Sequence, residues 1–339
     1  MKKLFLSLGI LLLTSLSLSA QNQIQLSQYS QTSPLFNPAL TGLDPFLDVK
    51  VGVRQQWTGF DNSPQTIFVS AFGSIRKEDK YDLLKYSLRV SSPEYARKLQ
   101  KEEFKRQGLR QGLGGYLIND SQGALTQTKL KGNYAFQYPV GFDKYVSVGL
   151  TMGINSFRID GDEVTLRDPA IDPVYQSLLG GDNNLTFLEG GLGAAFYGEQ
   201  FYIGYGAGRL VNVVVNGNET LQEDAKTLVH YVQAGYAFDI NDKFRFMPSA
   251  FVKSEGTTPL SWDINAKIRY MERFWAGVGY RNDNSIIGMF GLSVSNMLNL
   301  SYSYDSSTGD INTFNSGSHE IILGLMLFNH QNRSLSYLW

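Results

Sequence analysis

The chain has 339 residues, with 30 Lys or Arg against 31 Asp or Glu and no cysteine, which excludes disulfide frameworks and cysteine metal centres. The formal charge of −1 falls by two, to −3, once Lys2 and Lys3 are set aside, so nothing in it points to nucleic acid. Glycine (34), tyrosine (19) and phenylalanine (21) are abundant and only 18% of residues are charged, which suits an exported, strand-rich chain better than a periplasmic enzyme.

Residues 1–20 read as a secretory signal, with Lys2 and Lys3 basic, Leu4 to Leu13 apolar and Ser15 to Ala20 mostly small. Residues 21–47 form an N-terminal segment that is polar, weak in strand pattern and punctuated by Pro34, Pro38 and Pro45. Fourteen strands are expected between residues 48 and 328. They lie at about 48–57, 64–75, 111–119, 125–139, 144–158, 184–197, 200–210, 226–239, 243–253, 259–270, 273–282, 285–294, 298–305 and 316–328. Residues 329–339 are a C-terminal tail.

The alternation in these strands is strict. Val146, Val148, Leu150, Met152 and Ile154 alternate with Ser147, Gly149, Thr151, Gly153 and Asn155. Trp262, Ile264, Ala266, Ile268 and Tyr270 alternate with Asp263, Asn265, Lys267 and Arg269. Residues two apart share a strand face, so each strand has one apolar and one polar face. A soluble sandwich would bury the apolar face. A membrane barrel turns it toward lipid and the charges toward the lumen.

The links decide between these. Val140–Asp143, Gly198–Glu199, Ile240–Asp242, Met271–Glu272 and Ser295–Met297 are short and fall at every second connection, while 159–183, 211–225 and 306–315 are long. An even strand count with short periplasmic turns and long external loops is the rule of the transmembrane antiparallel outer-membrane β-barrel. It places both termini in the periplasm of a Gram-negative cell.

Three details complicate the pattern. Residues 76–110 form an insertion with eleven Lys or Arg against six Asp or Glu, in which Ser92-Pro93 opens an expected helix to about Gln107. Pro248 inside a strand predicts a bulge. The last strand is apolar on both faces from Glu320 to Phe328, as though it packs on its inner side too.

By parity the lumen-facing polar set is Lys50, Arg54, Lys131, Glu189, Lys243, Arg245, Asp263, Lys267 and Arg269. A water-filled lumen would accommodate these residues, and so would a lumen plugged by residues 21–47 or by the insertion. A satisfied structural lumen is preferred to a binding site.

Three patterns stand out: Phe36-Asn37-Pro38-Ala39-Leu40-Thr41-Gly42; Arg54 to Thr66 with Gln56, Trp57, Gly59 and Pro64; and the terminal Gly317 to Leu327 with His319 and Glu320. With the signal and the length, they resemble the PorP/SprF family of outer-membrane proteins of the type IX secretion and gliding system. The resemblance implies a barrel that works through protein partners and not through catalysis. Those partners are outer-membrane lipid, a large exported surface protein held by its adhesin C-terminal domain, or a peptidoglycan-binding periplasmic lipoprotein. The alternative is a small-molecule channel or hydrophobic-compound transporter.

Chemistry elsewhere is sparse. Ser318 and His319 are strand neighbours on opposite faces and cannot pair as nucleophile and base. Asp160, Asp162, Asp168, Asp172 and Asp182 match no calcium-loop spacing and read as an acidic surface loop, so neither metal nor cofactor is expected. The glycines from Gly204 to Gly208 sit in a strand with no helix behind them and read as strand glycines, not a nucleotide loop. Aromatic anchors for a partner are expected at Tyr175, Phe187 and Phe314, in or near the external loops.

Overall fold

The structure, a computed structural model, describes residues 24–59, 62–75, 109–141, 144–160, 184–217, 227–256, 258–271, 273–307 and 316–329. The signal, the helix expected in the insertion and the tail beyond residue 329 lie outside the described residues.

Fifteen strand segments follow in order: β1 Leu47–Gln55, β2 Gln65–Ile75, β3 Arg110–Gln122, β4 Leu125–Gly141, β5 Lys144–Ile159, β6 Asn184–Gly198, β7 Phe201–Asn216, β8 Val229–Tyr236, β9 Phe238–Asp239, β10 Phe244–Glu255, β11 Ser261–Tyr270, β12 Phe274–Arg281, β13 Ser285–Ser293, β14 Leu298–Ser307 and β15 Ser318–Leu327. β8 and β9 are two pieces of one crossing, interrupted at Ala237. Every crossing pairs antiparallel with its neighbours in sequence, and β15 pairs with β1 from Leu47↔Leu327 to Gln55↔His319. The sheet therefore closes into a fourteen-stranded barrel with no free edge along its wall.

Because consecutive strands are antiparallel, the short links after β4, β6, β9, β11 and β13 gather at one rim with the long β2–β3 connection, and the longer connections after β5, β7 and β14 gather at the other, along with the short turns after β3 and β12. β1 begins at the short-turn rim and β15 ends there. Two expected boundaries shift. β7 runs on to Asn216 and β8 starts at Val229, so the connection between them covers residues 217–228 and not 211–225.

Pro248 makes no bulge. The β10 register is continuous on both sides, and the ladder toward β8 and β9 has a gap opposite Met247 and Pro248, where a residue without an N–H cannot contribute. The bulges fall instead at Pro139/Gly141 and, between β6 and β7, at Thr186/Phe187 and Gly190/Leu192.

The outer face is apolar and exposed. Ile264 and Ile268 lie open while Asn265 and Lys267 between them are buried inward. Aromatic pairs edge this band: Phe244–Tyr270 (4.8 Å) near the short turns and Trp262–Tyr280 (5.7 Å) near the other rim. From Tyr270 back to Trp262, at ~3.3 Å per residue and ~40° of tilt, the height is roughly 20 Å, close to the ~25 Å apolar band of such barrels.

Ala266 sits near the middle of that band. Ala266→Arg should therefore cost about 2–4 kcal/mol in a urea refolding titration into vesicles, and Ala266→Leu should stay within about 0.5 kcal/mol of the parent. Arginine at the inward Asn265 should destabilise the barrel too, because Asn265 is fully buried in the lumen.

Candidate functional site in the barrel lumen

Residues 24–46 lie inside the barrel. They form two 3-10 turns, Tyr29–Leu35 and Pro38–Leu40, separated by Asn37, whose side chain accepts from the Ala39 amide at 3.0 Å and so caps the second turn. A short irregular segment in a lumen has backbone groups that need partners. Here the wall supplies them from several sides of the ring. Asn133 donates to the Pro34 carbonyl, Gln137 to the Thr41 carbonyl, Ser147 to the Ala39 carbonyl, and Asn37 to the Ala194 carbonyl on β6.

The strongest hold is an ionic node near the long-loop rim. Arg54 on β1 reaches Asp305 on β14 at 2.8 Å and Glu320 on β15 at 3.4 Å. Arg281 on β12 reaches Asp263 on β11 at 2.7 Å and Asp305 at 3.3 Å. The segment completes the node: the backbone amides of Ser27 and Gln28 donate to the two Glu320 oxygens at 2.8 and 3.0 Å, and the Ser27 hydroxyl donates to Asp305 at 2.5 Å. Two guanidiniums and three carboxylates are thus buried together. Such an arrangement persists only when every charge is met. Nearby, Lys267 bonds Ser30 and lies 4.8 Å from the Trp275 ring centre.

The second hold is steric. A Cβ on Gly193 would lie 2.1 Å from Asn37 Oδ1, one on Gly149 2.3 Å from the Pro38 carbonyl carbon and the Ala39 nitrogen, and one on Gly112 2.0 Å from the Thr41 oxygen. Phe36 to Gly42 therefore seat directly on the wall backbone of β3, β5 and β6. Gly42 has φ +67°, which favours glycine, and closes the segment against Gly73 and Gly112. Between the two holds, Tyr29 and Phe36 pack on Phe251 at 5.1 and 5.0 Å between ring centres. The Tyr29 hydroxyl shares a hydrogen bond with Ser249 at 2.9 Å.

The three sequence patterns thus form one structure. Gln56 bonds Pro64 across the β1–β2 connection, and Trp57, at φ +51°, donates its amide to Ser318 at 3.1 Å. Thr58 exchanges backbone bonds with Gly317 and Ser316. Gly59 is exposed in the same connection. The turn after β1 is thereby tied to the start of β15 at the barrel seam, where Arg54 and Glu320 point inward. His319 faces outward, bonded to Tyr302 at 2.7 Å.

The remaining inward residues are placed as follows. Lys50 is buried and paired with Asp48; Lys131 reaches Glu189 at 2.6 Å; Arg245 is half-buried and paired with Asp239; Arg269 is buried. Lys243 departs from the expectation. It is exposed in the turn before β10, because that strand starts one residue later than assumed. Phe187 also departs. It is buried inside the barrel, edge-on to Phe157 at 6.0 Å, and offers no surface to a partner. Tyr175 and Phe314 lie outside the described residues.

The segment runs the length of the lumen. Ile24 lies toward the long-loop rim and Phe46 leads into β1 at the opposite rim, so the described N-terminal end and the end of β15 are at opposite rims.

Among polar lumen residues not singled out from sequence, Asp305 shares parity with Asn299, Ser301 and Ser303, and Arg281 stands opposite Asp263 in the β11–β12 register. Both could have been found by extending the alternation one residue further. Arg209 could not, since it sits at φ +58° beside the β6–β7 irregularity.

The family profile described as Type IX secretion system membrane protein PorP/SprF matches residues 18–325. The chain belongs to this family. Membership of a secretion-system family of membrane barrels implies an outer-membrane location, with machinery partners and exported cargo. No curated protein matches the chain. Among solved structures, it is similar to the Ralstonia pickettii toluene transporter TbuX, at 10% identity and TM-score 0.47, covering 88% of this chain and 94% of that one. It is also similar to the CymD monoaromatic hydrocarbon channel, at 14% identity and TM-score 0.43, covering 92% and 95%.

Removing one partner from a buried charge cluster costs roughly 3–5 kcal/mol. Arg54→Met, which leaves Asp305 and Glu320 facing each other, should lose about that much in a refolding titration, while Tyr205→Phe, at the exposed outer pair with His230, should change stability by under about 0.5 kcal/mol.

Proposed function

We propose that the barrel is a closed anchor that binds an exported surface protein through its adhesin C-terminal domain at the long-loop rim. The observation that carries this reading is the lumen itself. Its own residues 24–46 fill it and are bonded to β1, β4, β5, β6, β10, β11, β14 and β15. A conducting pore would be kept open by charges facing water, whereas the charges of the Arg54 and Arg281 node face each other and the segment. In this reading the short-turn rim is periplasmic, and the basic insertion 76–110 beside it would meet a periplasmic subunit such as a peptidoglycan-binding lipoprotein.

Deleting residues 21–43 should convert the protein from low to high conductance in planar bilayers, because the node and the glycine seat would lose their occupant. Unchanged conductance would mean that other residues close the barrel.

The chain has no cysteine, so single cysteines report sidedness cleanly. Cysteines within 161–183, 218–226 and 308–315 should react with an impermeant reagent on whole cells, and cysteines at Glu199 or Asn241 should not. Shortening 161–183 and 308–315 should then release one large surface protein to the medium while the barrel keeps its heat-modifiable mobility. Loss of a periplasmic co-purifying subunit on deleting 76–108, with surface retention intact, would move the docking site to the insertion.

A further inference from the structure

Above the segment, toward the long-loop rim, the lumen holds a cavity of about 70 Å³ whose walls come from β3 to β8 and β10. One water needs roughly 10–15 Å³ of such space, so there is room for a group of several heavy atoms. Four cations line it, Lys129, Lys131, Arg209 and Lys253, against two carboxylates, Glu189 and Glu255. The acids are already engaged. Glu189 accepts from Lys131 at 2.6 Å and from Asn155 at 2.6 Å, and Glu255 pairs with Arg209.

Two lysines are paired only loosely. Lys253 is 94% buried, yet its nearest carboxylate among the described residues is Glu255 at 4.0 Å, beyond hydrogen-bonding distance, and its other neighbour is the Tyr231 ring at 6.0 Å. Lys129 lies within electrostatic reach of three cations, Lys131, Arg209 and Lys253, and of one carboxylate, Glu189, which is already bonded to Lys131. An ammonium held in a lumen with only a distant or shared counter-charge is costly, and walls of low dielectric concentrate the field of such a cluster. The opposite wall, from the segment, is apolar: Ile24, Leu26, Leu35 and Phe36.

We propose that this cavity is a binding site for one oxyanion, a phosphate or a carboxylate, held between the Lys129 and Lys253 ammonium groups. The site follows from the lumen geometry and does not depend on the anchoring function. The oxyanion sits as a counter-ion to two wall lysines, above a floor made by the N-terminal segment, so it joins strands β4 and β10 across the lumen. The apolar wall gives room for the start of a hydrocarbon tail, which a carboxylate at the end of an organic molecule has and inorganic phosphate lacks.

The test is calorimetric titration of the full chain in neutral detergent at low salt with inorganic phosphate, acetate and octanoate. At least one of the three should bind with one-to-one stoichiometry and weaken as salt rises. Lys129→Gln and Lys253→Gln should each weaken it tenfold or more, while Lys243→Gln, in the exposed turn, leaves it unchanged. Lys129→Arg and Lys253→Arg should restore binding to within a few-fold, which separates a charge requirement from a folding defect, and heat-modifiable mobility reports the fold of each variant. Phosphate binding alone identifies a free or esterified phosphate as the ligand; octanoate binding with acetate weaker identifies a tailed carboxylate. Failure of all three probes to bind the parent chain, or equal binding by the Gln variants, overturns the site.

Discussion

A ring of fourteen strands encloses more space than its inward side chains can fill, since about eight strands already bring opposite walls to side-chain distance. Everything specific to this molecule follows from how that surplus is used. Residues 24–46 occupy it, and the wall is built to receive them: glycines where backbone must approach backbone, amides and hydroxyls where carbonyls need donors, and Glu320 where two amide groups end. Neither partner is satisfied alone. Without the segment, Glu320 and Asp305 lose three donors; without the wall, the segment is too short and irregular to hold its own 3-10 turns.

This dependence explains why the distinctive sequence patterns cluster at the two ends of the chain. The barrel can close only where its first and last strands meet, and that seam carries both Arg54 and Glu320. The Phe36–Gly42 stretch, only five residues ahead of β1, lies across glycines from β3, β5 and β6. Elsewhere along the wall, outward positions need only alternation to do their part, and alternation can be met by many sequences.

Much of this was legible beforehand. Period-two patterning gave the crossings, the lipid face and most of the inner charges, because in a barrel one rule governs every strand. It failed where that rule stops at a strand end, since Lys243 falls outside β10 by one residue; Phe187 obeys the rule, sharing the inward parity of Glu189, and what misplaced it was its expected role near a loop end. The doubly apolar β15 was a fair sign of inner packing, and Ile322 does pack there in a cluster with Ile24, Leu26, Phe68 and Phe72. What alternation could not reveal is pairing between distant strands. Nothing local links Arg54 to Asp305, 251 residues apart, or the glycines near Gly204 to a backbone that passes over them. Those glycines read only as strand glycines, yet Gly204 leaves room for the Asn37 side chain and Gly206 for the Phe36 main chain.

The segment also joins two regions that would otherwise be independent. Its first residues, Ile24 and Leu26, wall the cavity that holds Lys129 and Lys253, while the next two, Ser27 and Gln28, hold the ionic node. A change at either place acts on the same few residues, over a distance too short for the backbone to absorb it. Burial of Ile24 and Leu26 against Phe68 and Ile322 fixes them apolarly, and the node fixes them by charge; the hydrophobic contact is insensitive to salt, whereas exposed charge interactions are screened within about 8 Å at physiological ionic strength.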